Sequence, residues 1–478
     1  MLMENYKTIY HVINIDKTRK LLFHPFSLKL YEILDSSEGN ILKLYEEFKN
    51  PGHVADILNI NESKVKKTLR EYEHQFSLYK SKKKEHLVRD TLWIIPTTAC
   101  NFRCRYCYLG TQKQSRMKWE TLKKAIDLSF LNYPIKYCTF YGGEPLMNKE
   151  VIIKAIEYIS RNYSNEVMYS VNTNGSLIDN KFIERISNER FVFTLSLDGP
   201  PEVHNSCRKY IDSSPSFKDV KNSIDILRRN NIPFSIEATY AKEAVLLGYT
   251  LQDIAHYLFT ISDIILIRPV TNFEYLATQR NLSPENISNE VCLQIPQYIK
   301  YIYDNMLSNK PHFEISTLEC VIPLLNRDSP RTASCSQERF LVIMPNGNFY
   351  GCNLLTDEKL ALGNINCKSL SNLEFISNLT NISITGKYYW YYPFQDICPV
   401  LFKNFKETYP LVNGNRYKQF EYCQLFWGEI IKNFFLLYEQ KKINILLSNI
   451  QKKWNRRYGS NSRFYTSTNN LRDVDNDA

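Results

Sequence analysis

The sequence predicts an α/β fold: a partial parallel (β/α)6 barrel of TIM-like type, with a winged-helix-like domain before it and a cysteine-bearing extension after it. Three observations carry this expectation. Between Trp93 and Ile267, six short apolar runs alternate with amphipathic helical patterns, the rhythm of a parallel sheet with crossover helices. The first 80 residues keep a different rhythm, two short strands followed by small helices. Cysteines gather on the loop Cys100-Asn-Phe-Arg-Cys104-Arg-Tyr106-Cys107 and again beyond residue 310. The expected domains are 1–85, 90–310 and 311–458, with a polar, disordered tail over 459–478.

In the first domain, strands are expected over 8–14 and 19–23 around the Asp16-Lys17-Thr18 turn. Ser27 can cap a helix carrying Leu28, Leu30, Tyr31 and Leu34, and a second helix runs through Ile41, Leu42, Leu44 and Tyr45. Pro51 and Gly52 interrupt the pattern before a short helix with Val54, Ile57 and Leu58. Asn61 or Ser63 caps the last helix, which buries Val65, Leu69 and Tyr72. A lysine-rich stretch over 80–88 is the linker.

The barrel strands are expected at 92–95, 137–141, 167–171, 191–197, 234–238 and 264–267. Helices are expected at 120–131, 149–162, near 179–187, at 217–229 and at 251–259. Sites in such barrels form at the C-terminal ends of the strands, and the chemistry-bearing motifs fall there. Cys100, Cys104 and Cys107 leave the first strand, and soft thiolates select Fe–S clusters or zinc. A cubane cluster takes four cysteines, so three leave one iron open. Gly142-Gly143-Glu144 closes the second strand, where glycines let the backbone turn and a ligand approach. Asn174 closes the third strand, and Ser196 and Asp198 the fourth, although Asp198-Gly199 also reads as turn chemistry. His204 and Arg208 follow in an H-x3-R spacing, and Arg268 ends the sixth strand.

Beyond the barrel, Cys335 and Cys352 flank a hairpin with an Asn346-Gly347 turn. Cys398 and Cys423 follow at wide spacing, with Cys320 upstream as an alternative ligand. Residues 428–447 are apolar enough for closing helices.

At 478 residues the chain has room for two or three domains, and 44% hydrophobic and 13% aromatic residues exclude wholesale disorder. Neither a secretory signal nor an apolar run of about 18 residues is apparent, so a membrane span is not expected. Twelve cysteines without an export signal favour metal ligation over disulfides and a cytoplasmic, low-oxygen setting. The net charge of +10 gathers at 80–84 and 452–457. That distribution fits a basic surface for an acidic peptide better than a nucleic-acid footprint. A DNA-binding winged helix is the alternative for the first domain.

The C-x3-C-x2-C spacing with Tyr106 before the last cysteine resembles the radical S-adenosylmethionine enzymes. The resemblance implies a 4Fe–4S cluster on Cys100, Cys104 and Cys107, whose open iron is chelated by the amino and carboxylate groups of S-adenosylmethionine. It implies cleavage of the sulfonium to a 5′-deoxyadenosyl radical that takes a hydrogen atom from the substrate. Gly142, Gly143 and Glu144 are then expected around the cofactor's amino group, with Tyr106, Asn174, Ser196 and Asp198 around the cofactor. Arg208 is expected near its carboxylate, where a guanidinium fork suits. The C-x11-G-x4-C pattern of Cys335, Gly347 and Cys352 resembles the start of the SPASM extension. A shortened, single-cluster version would use Cys335, Cys352, Cys398 and Cys423, with Cys320 as the alternative. The first domain resembles the leader-recognition (PqqD-like) domains of enzymes that modify ribosomally made peptides, which bind a leader by strand addition. These resemblances imply a peptide maturase, with a cysteine thioether cross-link as the expected product. Carbon–carbon cross-linking and formylglycine formation on a sulfatase are alternatives, and a redox-sensing regulator is the reading from a different class. The implied partners are a precursor peptide with its leader and an electron donor such as flavodoxin or ferredoxin.

Overall fold

The computed structural model describes residues 10–77 (without 18, 25–27, 34–35 and 49), 89–269 (without 108–113), 288–326, 340–351, 358, 361–366 and 415–455. The chain divides into two compact units. One comprises Met1–Glu85, Cys292–Ser334 and Asn378–Ala478, the other His86–Val291 and Cys335–Ser377. One border thus falls at Glu85, while the stretch 311–458 contributes to both units.

The first unit opens with three antiparallel strands, β1 (His11–Asn14), β2 (Lys20–His24) and β3 (Lys29–Ile33), side by side in that order. The helix expected to carry Leu28, Leu30, Tyr31 and Leu34 is corrected here: residues 29–33 form β3. They pair with β2 from Lys20↔Ile33 to His24↔Lys29. Leu28 adopts a left-handed φ of 54° in the turn that permits this. Leu21, Leu22 and Phe23 on β2 are fully buried, and pairing along such a strand overrides a weak helical spacing. Helices α1 (Ser36–Phe48), α2 (Pro51–Leu58) and α3 (Glu62–Ser77) follow. Asn50 Oδ1 caps α2 by accepting from His53 N–H at 3.1 Å, with Pro51 in the first helical position. The core of this segment joins Val12, Leu22 and Ile33 to Ile41, Leu42, Val54, Val65 and Leu69.

Second in the chain comes the parallel sheet. Its strands are β4 (Thr91–Ile94), β5 (Tyr137–Phe140), β6 (Met168–Thr173), β7 (Phe191–Ser196), β8 (Phe234–Tyr240) and β9 (Ile264–Pro269). Each is parallel to the next, so the spatial order equals the sequence order. An unreversed order is the winding of a barrel, not of a doubly wound sheet. The crossovers carry α4 (Trp119–Asn132), α5 (Lys149–Asn162), α6 (Asn180–Ile186), α7 (Pro201–Cys207), α8 (Phe217–Arg229), α9 (Lys242–Leu246) and α10 (Leu251–Phe259). Strand burial alternates: on β7, Phe191, Phe193 and Leu195 are buried while Val192, Thr194 and Ser196 are half-buried. The second set shares its face with polar neighbours, since Thr139 bonds Ser170 and Thr194 bonds Ser235 across strands.

The hairpin expected around Asn346-Gly347 is present as β10 (Phe340–Ile343) and β11 (Asn348–Tyr350), with β12 (Gly363–Asn364) beside it. It extends the same sheet, because β10 runs parallel to β4 from Phe340↔Thr91 to Ile343↔Ile94. Gly347 takes φ +86°, which the turn requires.

Four further helices are described: α11 (Ser288–Met306), which enters the first unit at Cys292, and α12 (Ile315–Asn326), α13 (Asn415–Glu439) and α14 (Ile443–Ile450) within it. Tyr303 donates to Ile430 O at 2.8 Å, and Asn449 Nδ2 to Met306 O at 2.9 Å. Arg19 Nη1 meets Glu439 Oε1 at 3.0 Å, so the strands at the start and α13 belong to one body. No described helix is long and apolar enough to cross a membrane.

Candidate active site

The three cysteines of the first motif lie on the loop that leaves β4, and all three are half-buried. The loop is held as a short ladder against the segment following α7. Arg103 N–H donates to Lys209 O at 2.7 Å and Arg105 N–H to Cys207 O at 3.1 Å. Ile211 N–H returns a bond to Asn101 O at 3.2 Å, and the Phe102 and Tyr210 rings meet edge-on at 4.8 Å. Cys100 Sγ accepts from Phe102 N–H at 3.4 Å and from Asn174 Nδ2 at 3.9 Å. Arg105 Nη1 pairs with Glu243 Oε1 at 2.6 Å, where α9 begins.

At the end of β5 the glycines serve backbone packing. A Cβ on Gly143 would stand 2.2 Å from Ala99 O, and one on Gly142, whose φ is +137°, 2.5 Å from Thr97 O. Gly143 N–H donates to Thr97 O and Glu144 N–H to Ala99 O, so the strand end interlocks with the residues before Cys100. The chain itself approaches these glycines closely. Glu144 is fully buried, and burial raises its pKa against the bonds it accepts. Those bonds are internal: Oε1 accepts from Thr173 Oγ1 at 2.7 Å and Leu146 N–H at 3.0 Å, Oε2 from Asn174 N–H at 2.8 Å. The carboxylate therefore ties β5 to β6.

Asn174 Nδ2 donates to Asn101 Oδ1 at 2.8 Å, and Asn174 Oδ1 accepts from Ser176. It secures the cysteine loop to the end of β6. Ser196 is half-buried at the end of β7, and its hydroxyl has no partner among the described residues.

Asp198 is 1% exposed and saturated from three directions. Its Oδ1 accepts from Arg208 Nε at 3.0 Å and Thr239 N–H at 2.9 Å, and its Oδ2 from the Tyr106 hydroxyl. The Arg208 guanidinium lies 5.3 Å from the Tyr106 ring centroid. Its charge also acts on the neighbouring Cys104 thiol. His204 is buried behind them. Its Nδ1 accepts from Asp198 N–H at 3.4 Å, which leaves the ring proton on Nε2 facing Ser216 Oγ at 3.1 Å. Ser216 in turn donates to Arg208 O at 2.6 Å. Burial lowers the His204 pKa to about 4, so the ring is neutral at pH 7.

The structure thus gathers Cys100, Cys104, Cys107, Tyr106, Asn174, Asp198 and Arg208 at the C-terminal strand ends. Arg268 lies on the same side of the sheet, its Nε 3.6 Å from Glu237 Oε1. Cys335, Cys352 and Cys398 lie outside the described residues, and of Cys423 only the helical backbone of α13 is described. Cys320 is fully buried on α12, and burial drives its thiol pKa well above the usual value.

Several residues that build the site carry no motif. Thr173 and the Thr239 backbone satisfy Glu144 and Asp198. Asn101 and Ser176 close the bonds around Asn174. Asn205 Oδ1 caps α8 by accepting from Ser216 and Phe217 N–H. The short helix α7 places both His204 and Arg208, and its signal was Pro201 at the first helical position after Gly199-Pro200.

The donor set fits an iron–sulfur cluster. Burial pushes Cys100 up to about 12 and Cys104 up to about 11, the latter against the opposing Arg208 charge, and the three thiols repel one another as thiolates. Such groups ionise when a cation replaces the proton. Among the described residues no three His, Cys, Asp or Glu converge on a single-ion site. In a cubane each thiolate goes to its own iron. The Arg208 guanidinium, which lies over the Tyr106 ring of the cysteine loop, suits a carboxylate.

The radical SAM superfamily model matches residues 94–261. An uncharacterised protein of Methanocaldococcus jannaschii is 34% identical over 210 residues, covering 43% of this chain and 71% of that protein. The cysteine-type anaerobic sulfatase-maturating enzyme of Clostridium perfringens (strain 13 / Type A) is 24% identical over 303 residues, covering 58% and 77%. The solved structure of native anSMEcpe with bound AdoMet and Kp18Cys peptide superposes with a TM-score of 0.58 at 21% identity. It covers 75% of this chain and 99% of that one, a likeness of fold.

Proposed function

The chain belongs to the radical S-adenosylmethionine superfamily, and from that premise we propose that it is a maturase acting on a ribosomally made peptide. The family's cofactors are a 4Fe–4S cluster and S-adenosylmethionine. Bound together, they supply the 5′-deoxyadenosyl radical that abstracts a hydrogen atom. In this reading Cys100, Cys104 and Cys107 hold the cluster. Arg208 meets the cofactor carboxylate, and Ser196 and the backbone of Gly142-Gly143-Glu144 border its remaining polar groups. Asn174 fixes the loop that carries Cys100. The observation that carries the proposal is the seating of that loop at the strand ends, with the buried Arg208 beside it.

The peptide part is supported by the relative named a sulfatase-maturating enzyme and by the solved neighbour that holds a peptide. Among the described residues β3 is paired on one side only, an edge that a leader can extend. In the proposal, residues 1–85 recognise that leader, and Cys335, Cys352, Cys398 and Cys423 hold an auxiliary cluster, with Cys320 as alternative ligand. Joining a thiol to a C–H carbon removes one hydrogen atom, one proton and one electron, and an auxiliary cluster is a fitting acceptor for that electron. A thioether is therefore the favoured product. Formylglycine formation on a sulfatase is the second reading, favoured by the 303-residue alignment with the maturating enzyme.

The test is anaerobic. Reconstituted protein with S-adenosylmethionine and dithionite is expected to release 5′-deoxyadenosine. No product would leave the redox-sensing regulator as the surviving reading. Supplying a sulfatase-derived cysteine peptide separates the two maturase readings, since only the second predicts a formylglycine product.

A further inference from the structure

Among the described residues Asp198 makes no hydrogen bond to a thiol, yet it holds Tyr106, one of the two residues between Cys104 and Cys107. Its Oδ2 accepts the Tyr106 hydroxyl, and its Oδ1 accepts Arg208 Nε and the Thr239 N–H. The guanidinium closes the circuit by lying over the Tyr106 ring. Three residues from three segments thus restrain one another pairwise, with Asp198 1% exposed at the centre. The backbone repeats the restraint, since Arg103 and Arg105 bond the carbonyls of Lys209 and Cys207 on either side of Arg208. Charge is balanced in the same place: a buried carboxylate offsets a buried guanidinium beside Cys104, and an uncompensated buried charge is costly.

We propose that Asp198 is a positioning residue for the cluster, which fixes the Cys104–Cys107 turn through Tyr106 and sets the charge that Arg208 presents to it. The proposal rests on the reading that Cys100, Cys104 and Cys107 ligate the cluster. Asp198 acts through its two partners, without itself touching cluster or cofactor. Hydrogen bonds and net charge around cysteine ligands set the potential of such clusters. Removing the carboxylate charge leaves Arg208 uncompensated and favours the reduced state.

The substitution Asp198→Asn keeps the shape and one acceptor oxygen but puts an NH2 group where the Tyr106 hydroxyl donates. Tyr106→Phe keeps the ring and removes only that hydroxyl. Full-length protein, anaerobically reconstituted, is assayed for iron content, melting temperature, midpoint potential by EPR-monitored titration, and the EPR change on adding S-adenosylmethionine. Asp198→Asn is expected to retain iron while its reduction equilibrium shifts about tenfold towards the reduced form, a rise of about 59 mV for one electron. The two substitutions are expected to be non-additive in the S-adenosylmethionine-dependent EPR change. An unchanged potential in folded, iron-replete Asp198→Asn overturns the proposal, and so does strict additivity. Where Asp198→Asn does not fold, Tyr106→Phe decides: altered S-adenosylmethionine-bound EPR supports the proposal, and a wild-type spectrum and potential overturn it. A Cys104→Ala control reports on the underlying reading, because a full complement of iron there sinks the ligand assignment itself.

Discussion

The Glu144 carboxylate accepts the Thr173 hydroxyl at 2.7 Å across the ends of two neighbouring barrel strands. With the Asn174 and Leu146 N–H groups it closes a buried set of donors. Glu144→Ala leaves those donors unsatisfied, and each buried group without a partner costs about 1–3 kcal/mol. The expected outcome is a clear loss of stability in a thermal or urea melt. Glu144→Gln should lose less, because it keeps one acceptor. Thr173→Val should cost about 1 kcal/mol, because Leu146 still occupies the same oxygen. A ten- to hundredfold loss of S-adenosylmethionine affinity in Glu144→Gln with an unchanged melt would instead mean that the carboxylate reaches the cofactor.

The neighbouring glycines give a sharper steric expectation. Gly143→Ala places a carbon 2.2 Å from Ala99 O, a backbone atom that cannot swing aside. The residues before Cys100 must then move. Iron retention after anaerobic reconstitution should fall in Gly143→Ala. In Gly39→Ala, where the nearest atom is the flexible end of Lys20, it should not. Equal retention in both proteins would detach Gly143 from the loop.

His204 predicts how stability changes with pH. Its folded pKa of about 4 lies below the ordinary value of 6.5, chiefly through burial, with Asp198 opposing and Arg208 assisting. Between those values the unfolded chain binds the extra proton, so stability falls as pH drops through the window and is unaffected above it. The complete loss is on the order of 3 kcal/mol, from 1.36 kcal/mol per pKa unit. Urea melts at pH 7 and pH 5 should show the fall in the wild type and a shallower one in His204→Gln. An equally steep fall in the variant would place the titration elsewhere.

What could be seen in the sequence is what depends on near neighbours. The six barrel strands follow from apolar runs between helical patterns, and the Asn346-Gly347 turn announces its hairpin. Cys100, Cys104 and Cys107 are legible because three thiols at short spacing have few other uses. β3 was not legible, since only its pairing with β2 decides against a helix. The inward turn of Glu144 depends on Thr173, 29 residues later, and the Tyr106–Asp198 bond spans 92 residues. Neither separation leaves a periodic trace. Residue type gave the right neighbourhood in both cases, and only the fold shows what each carboxylate bonds.

The number of clusters follows from the cysteines. In the proposed reading Cys100, Cys104 and Cys107 form one set. Cys138 is buried on β5, and Cys207, buried on α7, donates its thiol to Glu243 Oε2 at 3.3 Å, which leaves both as small internal side chains. If Cys335, Cys352, Cys398 and Cys423 complete a second set, reconstituted protein should bind about eight irons, four per cubane. A Cys100→Ala, Cys104→Ala, Cys107→Ala protein should keep about four and lose all cleavage of S-adenosylmethionine. Cys335→Ala with Cys352→Ala should lose the other four while uncoupled cleavage persists, since the strand-end site is untouched. Cys320→Ala alone, in the otherwise unsubstituted protein, decides the alternative ligand. If Cys320 ligates, that single change removes the second cluster; if it is a core thiol, iron stays near eight and only stability drops. About four irons in the unsubstituted protein would leave the chain with the strand-end cluster alone.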